Sequence, residues 1–287
     1  MKVYYECAPC FLRQAKEALD LACDDEDLKI EIMSEITVLL GSKFYKGAVS
    51  NVIGTSIHRF IKEKTGNNDP YLEIKEKGNE IAWCFLPKVM DLLDGEDDLE
   101  IFVKAAIVGN LIDFAALGVN FDPLTLMIKT FNSPLAINHV KKLENALKSV
   151  KTVLYLADNT GEIVFDKILI NKLIEYDVEV TVALKEKPIL NDACIEDAYQ
   201  IGLDQIAKLV TTGTDSVGVI YSQLSPEFRR MMDESELIIA KGLGNYEGLS
   251  EIKFNKKPVF CLLNTKCEPT ALDIGVKKGS NVILKLK

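Results

Sequence analysis

The sequence predicts an α/β protein whose first half is all helix and whose second half alternates strands with helices. Three observations predict it. Apolar residues recur at helical spacing through residues 1–150; from Thr152 onward apolar runs alternate with turns and amphipathic segments; and polar residues with no evident structural task gather just after those runs.

In the first half, Phe11-Leu12, Ala15, Ala18-Leu19 and Ala22 share one helical face, and Leu28 to Leu40 repeats the pattern. Further helices are expected over Ser50–Lys64, Tyr71–Leu93 and Leu99–Leu117. Gly95-Glu96-Asp97-Asp98 separates the last two and offers carboxylates to a helix N-terminus, where the helix dipole favours them. Neither this run nor Asp24-Asp25-Glu26-Asp27 has the glycine and terminal glutamate of an EF-hand loop, so both read as solvated loops and caps.

In the second half, strands are expected at Thr152–Ala157, Val178–Leu184, Ile206–Thr211, Leu237–Ala240 and Pro258–Leu263, with Val282-Ile283-Leu284 last. Helices are expected over Glu162–Tyr176, from near Pro188, and over Pro226–Glu234. Nearly continuous apolar strands alternating with helices imply a mostly parallel sheet covered on both faces, with right-handed crossovers.

Composition narrows the function. The 48% apolar and 27% charged fractions over 287 residues are those of a globular protein with ample core. No apolar run reaches the ~18 residues of a spanning helix, and Met1 to Cys7 lacks the plan of a signal peptide, so no membrane role and a cytoplasmic location are expected. A formal charge of -9 argues against a nucleic-acid surface. A small anionic substrate remains compatible, because a cation and a few lysines can set the local field. Seven cysteines, of which only Cys7 and Cys10 are close in sequence, do not form a disulfide framework. His58 and His139 are the two histidines, and neither lies beside a nucleophile motif; both read as core or surface residues. Nothing in the sequence marks an oligomeric state.

The chemistry gathers at the strand ends. Asp158-Asn159-Thr160-Gly161-Glu162 follows the first strand, and Lys185, Lys187, Asn191 and Asp192 follow the second. Gly213-Thr214-Asp215-Ser216-Val217-Gly218 follows the third, Lys241 to Gly248 the fourth, and Asn264-Thr265-Lys266-Cys267 the fifth. Parallel strands place these turns along one edge, where open α/β sheets bind ligands. Adjacent oxygen ligands suit a hard divalent cation, and lysines, hydroxyls and turn amides suit phosphoryl oxygens. Singly, Asp158 reads as a helix cap, Asp192 as an early-helix carboxylate and Lys266 as a solvated lysine. Five such turns together read as the rim of an active site.

Other motifs fail on detail. Gly242-Leu243-Gly244-Asn245-Tyr246-Glu247-Gly248 has one residue too many for a dinucleotide loop and follows the fourth strand. Thr160 stands where haloacid-dehalogenase phosphatases carry a second aspartate, and no nucleophile elbow or Walker loop is present.

Together these segments resemble the damage-control phosphatases, once catalogued as domain of unknown function 89. The resemblance covers nearly the whole chain: Cys7-Ala8-Pro9-Cys10-Phe11-Leu12-Arg13-Gln14, Gly109-Asn110-Leu111-Ile112-Asp113-Phe114, Asp158 to Glu162, Asn191-Asp192, Gly213 to Ser216, Lys241 to Glu247, and Lys266. The N-terminal Cys-x-Pro-Cys looks like the branch found in archaea and other microbes. For fold, the resemblance implies an all-helical domain over residues 1–150 that walls the active site. Beside it, residues 151–287 would form a Rossmann-like, three-layer α/β/α domain with the metal site. For function, it implies divalent-metal-dependent hydrolysis of phosphomonoesters: sugar phosphates, or damaged and side-product phosphometabolites, nucleotide-related ones included. The cation would be Mn, Ni, Co or Mg, held by Asp158, Asn159 and Asp192. Asn110 and Asp113, one turn apart on a helix, would border the substrate with Glu162, Ser216 and Asn245.

The expected chemistry is cation-assisted phosphoryl transfer, with Lys241 or Lys266 on the equatorial oxygens and Asp158 and Asp192 indispensable. The attacking group is either water activated by the cation or Asp158 itself. Cys7 and Cys10 read as packing, as a second metal site, or as a redox pair; one pair alone does not close a zinc site. Pro9 at the helix start would place both thiols near a helix N-terminus, lowering their pKa. Two readings compete with catalysis: a protein that binds a phosphometabolite without turning it over, and a nucleotide-dependent transferase built on Gly242–Gly248.

Overall fold

The computed structural model describes residues 1–111, 123–255 and 257–287. Three helices open the chain: α1 (Cys7–Ala22), α2 (Glu26–Lys43) and α3 (Ser50–Thr65). Asp25 caps α2 by accepting from the Leu28 N–H at 3.1 Å, and Gly66 closes α3 in the left-handed region. Their apolar faces, including Phe11, Ala15, Leu19, Ile32, Ile36, Ile53 and Ile57, make a core of their own.

The next helices belong with the sheet. These are α4 (Leu72–Leu93), α5 (Leu99–Leu111), α6 (Pro123–Asn132) and α7 (Val140–Leu147), with a short strand β1 (Ile137–Asn138) before α7. The expected continuation of α5 to Leu117 lies outside the described residues. Then come β2 (Thr152–Leu156), α8 (Glu162–Ile174), β3 (Glu179–Leu184), α9 (Ile195–Gln200), β4 (Lys208–Thr211) and α10 (Pro226–Glu234). The chain continues with β5 (Leu237–Lys241), α11 (Gly242–Leu249), β6 (Val259–Asn264), α12 (Glu268–Ile274) and β7 (Asn281–Lys285).

The sheet runs β1-β7-β6-β5-β2-β3-β4. Strands β2 to β6 are parallel, whereas β7 pairs antiparallel with β6. One face, with Val153, Tyr155, Val182, Ile239 and Phe260, packs against apolar residues of α4, α5, α7, α8 and α9. The other, with Leu154, Leu156, Ile238, Cys261 and Leu263, is covered by α10 and α11. Strands buried on both sides explain why the sequence reads as unbroken apolar runs rather than alternation. The order β4-β3-β2-β5-β6 reverses direction between β2 and β5, which leaves a crevice beyond their carboxyl ends. Leu156 lies level with Ala183 on β3 and Ala240 on β5, so Asp158, the β3 loop and Gly242 emerge side by side.

Several details depart from expectation: Gly242–Leu249, read as a strand-end turn, is helix α11. β1 pairs with β7 as a seventh strand, and two residues are too short for a sequence pattern. No helix begins near Pro188: residues 185–194 form a loop, and α9 starts at Ile195. Backbone pairing forces this. The Lys185 N–H donates to Ala193 O at 3.0 Å and the Ala193 N–H to Asp158 O at 2.8 Å, so the loop folds back along the end of β2. Leu190, at φ +49°, turns the corner and packs against the α1–α3 core.

Helix α3 docks on the strand-end turns. Asn51 donates to Val217 O and Val219 O at 3.2 and 3.1 Å, while Arg59 Nε and Lys62 Nζ donate to Asp215 at 2.8 and 2.7 Å. Among the described residues, no helix is long and apolar enough to cross a membrane.

Candidate active site

The turn after β2 is held from two sides. The Thr160 N–H donates to Asn191 O at 2.9 Å, and the Gly161 N–H at the start of α8 donates to Asn79 Oδ1 on α4 at 2.7 Å. Asn159 and Asp192 face each other as an isolated antiparallel bridge. These pairings bring Asp158, Asn159 and Asp192 to one cleft of about 700 Å³ between α1, α3 and the strand ends. Lys266, at the end of β6, lines the same cleft and is exposed. The turn into α11 passes close to the acidic group. Gly242 has φ +76°, and a Cβ there would fall 1.8 Å from Asp158 Oδ2, so only glycine fits.

Burial and like charge dominate the electrostatics. Burial pushes the Asp158 carboxyl well above the usual range, and Glu162 and Asp192 push it further; Lys266 and Lys241 oppose them. Asp192 is raised to about 6, chiefly by burial and against the pull of Lys185, whose Nζ lies 3.4 Å away. Lys185 is itself buried and also donates to Gly218 O at 2.9 Å, so it ties the second strand end to the third.

Behind this rim lies a second polar group. Lys241, 0% exposed, donates from Nζ to Asp166 Oδ1 at 2.5 Å, to Ala106 O at 2.8 Å and to Glu162 Oε2 at 3.5 Å. Burial raises Asp166 to about 6 despite this lysine. Asn159 connects the two groups: its Nδ2 donates to Glu162 Oε1 at 2.6 Å and to Asp158 Oδ2 at 3.1 Å.

The structure therefore brings Asp158, Asn159, Asp192 and Lys266 together on one cleft and puts other expected residues elsewhere. Lys241, expected with Lys266 as one of two candidates for a phosphate's equatorial oxygens, is turned away from the cleft, because its ammonium pairs with Asp166 and Glu162 in the interior. Glu162 is buried behind Asn159 rather than in the cleft wall. Ser216 is buried within its own turn, donating to Gly218 O at 3.3 Å. Asn245 joins the ends of β2 and β5 by donating to Ala157 O and Lys241 O at 3.0 and 2.9 Å. Asn110 sits on α5, but its side chain and all of Asp113 lie outside the described residues. Its neighbour Gly109 packs closely on α8: a Cβ there would stand 3.2 Å from Glu162 Cα.

Cys7 and Cys10, on the first turn of α1, line the same cleft, as does Cys267. The expectation of acidic thiols fails for Cys7. Burial raises it, outweighing the Tyr4 N–H that donates to its sulfur, and Glu247, Cys267 and Cys10 add to the rise. Among the described residues, no three His, Cys, Asp or Glu side chains form a metal cage by themselves. A cation at the strand ends would therefore draw on two carboxylates and a carboxamide.

Asp166 and Asn79 do not stand out in the sequence, and Lys185 has there only the shared role of a strand-end lysine suited to phosphoryl oxygens. Asp166 had a signal: it follows Glu162 by one turn and sits between the apolar Ile163-Val164-Phe165 and Ile168-Leu169-Ile170, where a carboxylate needs a partner. Asn79 had none, because its partner lies 82 residues away.

Comparison with known proteins agrees with this architecture. The model of the Damage-control phosphatase ARMT1-like domain matches residues 3–282. A damage-control phosphatase of Pyrococcus horikoshii is 38% identical, over 100% of this chain and 99% of that one. An Archaeoglobus fulgidus protein of the same name is 36% identical over 98% of each chain, and an uncharacterized Methanocaldococcus jannaschii protein is 40% identical over 99% and 96%. The crystal structure of the Pyrococcus horikoshii DUF89 family protein superposes with a TM-score of 0.90 over the full length of both chains, at 38% identity. A match of this extent, in sequence and in backbone alike, places the chain in the damage-control phosphatase ARMT1-like family.

Proposed function

We propose that this chain is a divalent-cation-dependent phosphatase acting on phosphomonoesters of small metabolites, sugar phosphates or damaged and side-product phosphometabolites among them. One observation carries the reading: Asp158, Asn159 and Asp192 converge from two adjacent strand ends on a single cleft at the point where the strand order reverses. The activity named for the Pyrococcus horikoshii and Archaeoglobus fulgidus relatives supports it.

The donor set fits a hard cation. All three side chains offer oxygen, and the two carboxyls are raised by burial and, for Asp158, by mutual repulsion that a divalent charge would relieve. Mn, Mg, Co or Ni would be held by Asp158, Asn159 and Asp192, and when bound would neutralise the negative charge of the phosphoryl group. The remaining work falls to the chain. Lys266 offers an ammonium to phosphate oxygens from the open side of the cleft. Leu243 and Gly244 bring the first turn of α11 to the same wall, where backbone N–H groups favour an anion. Lys185 holds Asp192 in place and balances its charge. The volume of about 700 Å³ leaves room for a substrate larger than phosphate itself.

The test is a release assay on para-nitrophenyl phosphate, sugar phosphates and nucleotides with Mn, Co, Ni or Mg. Turnover that appears with metal and stops with chelator is expected. A protein that only binds would show ligand-induced thermal stabilisation without phosphate release, and that outcome would overturn the proposal.

A further inference from the structure

We infer that Glu162 is a positioning residue that sets the orientation of the Asn159 carboxamide, so that its amide oxygen, not its nitrogen, faces the cleft. This inference rests on the proposed cation site and concerns how the protein builds it.

The geometry leaves little choice. Asn159 has two neighbours on its inner side, Glu162 Oε1 at 2.6 Å and Asp158 Oδ2 at 3.1 Å. A carboxylate can only accept hydrogen bonds, so the donating NH2 group must face Glu162, the nearer of the two. An amide reversed by 180° would set oxygen against the Glu162 carboxylate. Oδ1 is therefore the atom presented to the cleft, which Asn159 lines.

Glu162 can impose this only if it is itself fixed and its charge is compensated. It is 1% exposed and opens α8, whose first turn is secured by the Asn79 bond to Gly161 and by the close approach of Gly109 on α5. Its second oxygen lies 3.5 Å from Lys241 Nζ, and Lys241 is anchored by Asp166 and by Ala106 O. The order is thus Asp166, Lys241, Glu162, Asn159: acceptor, donor, acceptor, donor. Each member fixes the polarity of the next, as outer partners fix the orientation of metal ligands in general.

A polarity swap tests the inference. Glu162→Gln puts an amide NH2 where an acceptor stood, or forces it towards Lys241. Asn159→Asp puts a third carboxylate among Asp158 and Glu162. The double variant Asn159→Asp/Glu162→Gln restores a donor–acceptor pair between positions 159 and 162 with the same total charge and leaves an oxygen for the cleft, while giving up the bond to Asp158. The readout is Mn2+ affinity, measured by calorimetry or by the EPR signal of unbound Mn2+, beside circular dichroism and melting temperature. Glu162→Gln should weaken Mn2+ binding by ~10–100-fold, Asn159→Asp should weaken it too, and the double variant should bind Mn2+ more tightly than either single variant, with all variants folded. Wild-type Mn2+ affinity in Glu162→Gln would overturn the inference, as would a double variant no better than the weaker single. If the wild-type chain binds no Mn2+, the cation reading fails first; if it binds and only the swap misbehaves, the positioning role alone is wrong. A purely structural Glu162 would lower the melting temperature in Glu162→Gln, and the double substitution would not restore Mn2+ affinity.

Discussion

Asp158 and Asp166 are carboxylates eight positions apart, both deeply buried, yet the protein treats them in opposite ways. Asp166 receives a lysine at 2.5 Å, and the Lys241–Glu162–Asp166 group lies beneath the surface. Asp158 stands at the cleft wall, where its nearest acidic neighbours, Glu162 and Asp192, raise its carboxyl rather than stabilise its charge. The inner group thus sets a buried ammonium directly on its carboxylates, whereas the rim places Asp158 and Asp192 on a cleft open to ligand. A buried ion pair serves the fold, whereas carboxyls that burial and like charge push upward beside a cleft mark a candidate ligand site.

The difference can be broken most forcefully from the rim. Asp158→Ala or Asp192→Ala should reduce cation-dependent phosphate release by more than ~100-fold, since a direct ligand should matter more than its outer partners, while circular dichroism stays native. Full turnover in either purified variant would remove both from the site. From the inner group the largest effect should be on folding. Lys241→Met leaves Asp166 and Glu162 without their buried cation, and a urea melt should register a loss of about 3–5 kcal/mol.

Lys266→Ala sharpens the contrast, because this lysine is exposed and faces the cleft. KM for a phosphate ester should rise by ~10-fold, as for a lost charged hydrogen bond of about 1.4 kcal/mol, with the urea midpoint unchanged. A fall in stability like that of Lys241→Met would erase the distinction between the two lysines.

Asp158→Asn gives the smallest effect and the most telling sign. The folded-state pKa of Asp158 is raised above 3.8, so its contribution to stability is greatest below that value and is lost as pH rises through the folded-state pKa. The amide has no charge to lose. In chelator, the variant should therefore melt higher than wild type at neutral pH, and the gap should shrink as pH falls toward 3.8. Added Mn2+ should stabilise wild type and leave the variant unmoved. A variant that melts lower at neutral pH would mean that the ionised carboxylate is already well compensated inside the protein.

The sequence carried the rim better than what supports it. Asp158, Asn159 and Asp192 were legible because each follows an apolar strand in a parallel α/β pattern, which fixes the edge where they must gather. Lys241 and Lys266 are equal candidates for the phosphate oxygens in sequence, because a lysine at a strand end looks the same whether it points into the cleft or below it. The direction of Lys241 is set by Asp166, a neighbour in space only. The loop at 185–194 was mistaken for the start of a helix because Pro188 suits a first turn; the strand-like pairing with Asp158 that overrides it is invisible locally. Helices α4, α5 and α7 read as part of a separate helical half, yet they complete the core of the sheet. Amphipathic spacing shows that a helix has a face to bury but does not name the surface that buries it.

The most direct test of where the cation sits is an anomalous difference map from crystals grown with Mn2+. A peak bounded by Asp158, Asn159 and Asp192, absent after chelation, is the result this account predicts. A peak at Cys7 and Cys10 with the strand ends empty would contradict it.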